Sequence, residues 1–134
     1  MKISSFDDLL QAARQQAEPQ RLLFVFAKAE LPPDSTDAQR KHFLAGQGGA
    51  LVPVMCVDKA PDELLSFADL ELESRQFGQD WSIIFAAAMA GSDGVAPSTA
   101  AAETQLQRMV DFIKAGTLGA LIPFDRDGQP VMLG

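Results

Sequence analysis

The chain has 134 residues, the length of one domain able to bury roughly two-thirds of the surface its unfolded form exposes. A hydrophobic content of 47% and a charged content of 22%, with ten Gly and eight Pro, exclude a disordered tail, a collagen-like repeat and a coiled coil. Eighteen acids against eleven bases leave a net charge of −7, and Arg40-Lys41 is the only adjacent basic pair, which argues against nucleic acid and anionic membrane as partners.

The first helix is the clearest local signal. Ser4 or Ser5 caps it, Asp7 and Asp8 sit in its first turn, and Phe6, Leu9, Leu10, Ala13 and Ala17 recur at helical spacing until Pro19. Leu22 to Ala27 follows as a strand apolar on both faces. Leu31-Pro32-Pro33-Asp34-Ser35-Thr36 reads as a loop, since Pro-Pro cannot continue a ladder. A short helix from Asp37 to Ala45 closes at Gly46, and Gly48-Gly49 leads into a second strand, Ala50 to Val57. Pro53 removes a backbone donor from that strand and belongs on a sheet edge or at a bulge.

Pro61 and the acids around it start a third helix from about Asp58. Leu65, Ala68 and Leu72 fit a helical stripe to about Leu70, whereas Asp69 to Glu73 alternates like an exposed strand, so a strand over Asp69 to Arg75 stays open. Trp81 to Met89 is a third buried strand, and Gly91 to Pro97 a polar loop. Ser98 or Thr99 caps a long helix carrying Leu106, Met109, Val110 and Ile113 on one face and ending at Gly116. Leu118 to Phe124, the turn Asp125-Arg126-Asp127-Gly128 and Val131 to Leu133 form a closing hairpin.

Strands that alternate with helices and are apolar throughout predict a single α/β domain over residues 1–134. The expected form is a three-layer sandwich with a mainly parallel sheet in the order 2-1-3-4-5 and a C-terminal hairpin. If Asp69 to Arg75 is a strand, the alternative is an α+β fold with a mixed sheet.

No catalytic set and no metal set stands out. Cys56 lies in the apolar run Val54-Met55-Cys56-Val57, where burial makes a thiol inert, and His42 sits on a charged helix as a surface residue. Asp62, Ser66, Asp69 and Glu73 form one stripe if the third helix is continuous, which reads as a solvated face. Neither a dinucleotide fingerprint nor a P-loop is present, so no cofactor is expected. In a parallel sheet of this order, ligands bind outside the carboxyl ends of the first and third strands. The loops leaving them would bring together Lys28, Glu30, Asp34, Ser35, Ser92 and Asp93, with Lys28 seeking an anion and Asp34 and Asp93 orienting hydroxyls.

Three stretches, Arg21 to Pro32, Leu51 to Lys59 and Trp81 to Gly91, resemble a family of small proteobacterial proteins often labelled ribonucleotide reductase subunit alpha. The resemblance spans most of the chain, implies a bacterial protein and transfers no catalytic motif. Reductase chemistry needs a redox pair of cysteines, and this chain has one Cys and no Tyr, so no reductase residue is assigned.

Function is therefore read by class. The first reading is a small acidic binding protein that is not an enzyme and acts through a protein partner or as a homodimer, using the edge strand with Val52, Val54 and Met55 and the apolar end Val131-Met132-Leu133. The second is a small-molecule or anion-binding domain, or a small enzyme, using the loop cluster above. One Cys, no long apolar segment and no leader-like start at Lys2 to Asp8 place the expected compartment in the cytoplasm.

Overall fold

The computed structural model describes residues 5–30, 36–44, 50–64, 66–78, 80–115, 117 and 121–131. Helix α1 (Phe6–Arg14) begins as its sequence dictates: Ser5 Oγ accepts from the Asp8 amide at 3.3 Å, and Phe6, Leu9, Leu10 and Ala13 are buried. Strand β1 (Gln20–Glu30) follows, then helix α2 (Asp37–Leu44) and strand β2 (Ala50–Lys59). A 3-10 turn at Pro61–Glu63, with Glu63 Oε1 accepting from the Ala60 amide at 2.9 Å, precedes helix α3 (Phe67–Arg75). Strand β3 (Ile83–Ala90), helix α4 (Thr99–Ala115) and the short strand β4 (Ile122–Phe124) complete the order.

The four strands lie in the order β2-β1-β3-β4, and every pairing is antiparallel. The class is α+β, which corrects the mainly parallel α/β sandwich expected above. The α+β class held as the alternative is the one found, but its sheet is antiparallel throughout rather than mixed, and Asp69 to Arg75 is helical. Continuous apolar strands report that both faces are covered, and antiparallel strands covered twice look the same in sequence. Direction is decided by the connections. Glu30 pairs with Ala50, so the chain leaves and re-enters the sheet at one end. Helix α2 is short, with residues 36–41 exposed, and those residues form no apolar stripe of the kind a helix crossing a sheet face needs. The next connection does cross: β2 and β3 run the same way on either side of β1, linked by α3.

Alternation within β1 feeds two cores. Leu22, Phe24 and Phe26 meet α1, Leu64 and α3, joined by Trp81, Ile84, Ala86 and Phe124. Leu23, Val25 and Ala27 meet Ala102, Leu106, Met109 and Ile113 of α4, with Phe85 and Leu121. At about 1.5–3 kcal/mol for each fully buried large apolar side chain, these layers supply the main drive to fold. The first core is aromatic at its centre, where the Phe6 ring lies 5.4 Å from Phe24, 5.2 Å from Phe67 and 5.3 Å from Phe124.

The expected C-terminal hairpin is present in outline. Asp125 Oδ1 accepts from the amides of Asp127 at 2.8 Å and Gln129 at 3.0 Å, and Phe124 bridges Pro130. Met132 and Leu133 lie outside the described residues, as do Pro32 to Ser35 and Gly46 to Gly49. The turn is fastened to α1 by the Phe6 amide, which donates to Gly128 O at 2.9 Å.

Candidate functional site

The antiparallel sheet separates the residues nominated for a ligand site. Ala27 pairs with Ile83 and Gln20 with Ala90, so Lys28 and the backbone of Glu30 stand at one end of the ladder and Ser92 and Asp93 beyond the other. At about 3.4 Å per residue those ends are roughly 25 Å apart. Asp34, Ser35 and the Glu30 side chain lie outside the described residues. The grouping needed strands leaving at one common end, and that arrangement does not exist.

The loop carrying Ser92 and Asp93 is instead a tight hairpin. Ser92 and Val95 exchange both backbone hydrogen bonds, at 3.0 and 2.9 Å, around Asp93 and Gly94 with φ of 53° and 77°. Two central residues with positive φ are the usual hairpin connection, and Asp-Gly is its sequence signature. The amide of Gly94, which an anion would have needed, donates to Glu18 Oε2 at 2.9 Å. Ser98 caps α4 as expected, accepting from the Ala101 amide at 3.1 Å.

Cys56 also departs from expectation: it is exposed on β2 rather than packed. Partial burial, followed by the charge of Asp58, pushes its thiol above the ordinary value. The side chain of His42 lies outside the described residues. The stripe Asp62, Ser66, Asp69 and Glu73 is broken, because Asp62 belongs to the 3-10 turn and Ser66 is the extended N-cap of α3. Among the described residues, no three His, Cys, Asp or Glu side chains gather as metal ligands would.

Polar groups converge elsewhere, between α3 and the β4 turn. Trp81 is buried with its indole N–H donating to Ser74 Oγ at 3.0 Å, and Ser74 is itself buried and donates to Glu71 O at 2.6 Å. The Arg126 guanidinium stacks 4.4 Å from the Trp81 ring centre and donates from Nη1 to Trp81 O at 3.0 Å. Its Nη2 reaches Glu71 Oε1 at 3.2 Å, and Arg75 Nε reaches the same oxygen at 2.9 Å. The hydrogen bond from Arg75, with its charge and the contacts of Arg126 behind it, holds the Glu71 carboxyl below its ordinary value despite its burial.

Two recesses adjoin this bridge. One of about 250 Å³ is lined by Ser74, Arg75, Gly78, Asp80, Trp81 and Arg126, and one of about 470 Å³ by Phe67, Ala68, Glu71, Arg75, Arg126 and Asp127. On the same segment of chain Leu72 is 56% exposed and Phe77 52% exposed. Leu72 lies one turn before Arg75, so both occupy one side of α3. The sequence held one usable signal, the i, i+4 spacing of Glu71 and Arg75, which appears only when α3 runs past Leu70. Nothing in the sequence announced that Arg126 would return to them.

The β2 edge was the other surface expected to meet a partner. The Ser82 amide donates to Ala27 O at 2.9 Å, so the backbone of Ala27 faces β3 and that of its partner Pro53 faces outward from the sheet. Pro53 thus costs no ladder bond and leaves the outer edge one donor short. The register shift between Phe26 and Ala27 places a bulge at the same point. Proline and a bulge are the usual means of blunting an edge against strand addition.

No family model, no curated protein and no solved structure matches the chain. Among the described residues, no helix is long and apolar enough to cross a membrane.

Proposed function

We propose that this protein is a binding domain that meets a protein partner on the α3 side, with the α3–β4-turn cleft at the centre of the contact. The observation that carries this reading is the exposure of Leu72 and Phe77 on the same segment as Arg75, whose partner Glu71 also holds Arg126. Arg and aromatic side chains are enriched among binding hot spots, and exposed apolar side chains supply the centre of such a contact. Trp81 and Glu71 hold Arg126 in place before any partner arrives, which lowers the ordering cost of association. The β2 edge is blunted, so side chains rather than an added strand make this contact.

A photoreactive residue placed at Leu72 or Phe77 tests the reading in the native cell, with Thr104 on the exposed side of α4 as the control position. One discrete cross-linked species from both α3-side positions and none from Thr104 is expected. A species of twice the chain mass identifies a second copy as the partner. The same products from all three positions, or none from any, overturn the reading.

A further inference from the structure

We infer that the α3–β4-turn cleft is a carboxylate site, and that Arg75 and Arg126 clamp the acidic group of whatever docks there. This rests on the binding-domain reading above and names the chemistry it uses. Two guanidiniums meet one oxygen of Glu71, so the bridge carries a surplus positive charge in a chain of net charge −7. By contrast, Arg21 pairs with Asp58, and Lys59 with Glu73 at 2.7 Å.

The donors suit a carboxylate. A guanidinium is a planar fork that binds two carboxylate oxygens at once. Arg75 spends only Nε on Glu71 and its side chain is 66% exposed, so among the described residues its two terminal nitrogens remain for a ligand. Arg126 is fixed by the Trp81 ring and carbonyl, which makes it the rigid half of the clamp. Phe67, half-buried in the wall of the larger recess, gives an apolar body somewhere to lie, and Leu72 and Phe77 are exposed on the same segment of chain.

The acids nearby set the limit. Asp80 lines one recess and Asp127 the other, so a ligand with several negative charges meets more repulsion than a single carboxylate on an apolar body does. Glu71 already occupies part of the clamp and competes with the incoming group. A free small acid and an acidic residue of a peptide share this chemistry.

The test uses the intact chain. Trp81 is the only Trp and there is no Tyr, so intrinsic emission reports the cleft alone. The probes are 3-phenylpropionate, its neutral amide, inorganic pyrophosphate, and the peptide acetyl-Leu-Glu-Leu-amide. A saturable emission change with the acid, at least tenfold weaker with the amide or with pyrophosphate, is expected. Arg75→Gln, at an exposed position, should weaken the acid at least tenfold while the chain still unfolds in one cooperative step, and Glu71→Gln should tighten it severalfold. Tighter binding of the peptide than of the free acid assigns the carboxylate to a protein segment, and the reverse assigns it to a small metabolite. Equal binding of acid and amide, no response in either wild type or Glu71→Gln, or weaker binding by Glu71→Gln overturns the inference. Cross-linking from Leu72 and Phe77 that survives Arg75→Gln would leave the docking surface standing without a carboxylate anchor.

Discussion

Gly94 and Gly128 share a φ of 77°, yet an added methyl group would meet nothing within 4 Å at Gly94 and would lie 2.9 Å from Phe67 Cγ at Gly128. Alanine at either position pays the left-handed backbone penalty of about 1–2 kcal/mol. At Gly128 the same methyl also stands 3.1 Å from Phe67 Cδ2 and 3.3 Å from its Cβ, so the whole ring must retreat. That ring sits edge-on to Phe6 at 5.2 Å and 6.5 Å from Trp81, and forced overpacking of such a cluster costs about 1–3 kcal/mol more. Gly94→Ala is therefore expected to cost about 1–2 kcal/mol and Gly128→Ala about 2–5 kcal/mol. Urea unfolding followed by Trp81 emission measures both, provided the dependence on denaturant is the same in each variant. The difference between them isolates the packing of the β4 turn on α3, which forms the floor of the cleft. Equal costs, or a larger cost at Gly94, would refute that packing.

Pro53→Thr restores an outward donor on β2 and should raise concentration-dependent self-association at least tenfold in sedimentation velocity; an unchanged distribution would show that the edge is not what Pro53 guards. Arg75 and Arg126 lower the folded-state value of Glu71 from the ordinary 4.5, so its stabilisation is complete above that value and is lost as the pH falls through the lowered one. Urea midpoints of wild type and Glu71→Gln should thus converge in acid and separate towards neutrality, and a constant gap would contradict the bridge. Cys56 is exposed with a raised pKa, so a thiol reagent should label the folded chain completely but more slowly at neutral pH than an unstructured cysteine peptide. Labelling that requires denaturant would place it back in the core.

The parts of this fold that were legible in sequence are those decided locally. Ser5, Asp7, Asp8 and the spacing of Phe6, Leu9, Leu10 and Ala13 specify α1 because capping and one buried stripe act within a few turns. The apolar run at Leu22 to Ala27 announced a strand covered on both faces, and both cores confirm it; in the run from Trp81 to Met89 the strand starts at Ile83 and is covered on both faces only over Ile84 to Ala86, with Ala88 exposed. Strand direction was not legible from those runs, since a covered strand has the same composition either way round. Helix α2 held a clue: it is eight residues long and its residues 37–41 are exposed, unlike the helix that usually carries a parallel crossover, and β1 and β2 are antiparallel. Asp93-Gly94 carries the signature of a hairpin turn but was read only as part of a polar loop. The cleft depended on Glu71, Arg75, Trp81 and Arg126, and its last member approaches through tertiary packing that no local spacing records.

The most direct test of the account is a titration of the isotopically labelled chain with 3-phenylpropionate, followed by its amide and indole N–H resonances. The account predicts that the Trp81 indole, the α3 amides from Phe67 to Gly78 and the turn from Asp125 to Gly128 shift together and saturate at one affinity. Shifts confined to the hairpin from Gly91 to Val95 or to the end of β1 at Lys28, with the Trp81 indole unmoved, would contradict it.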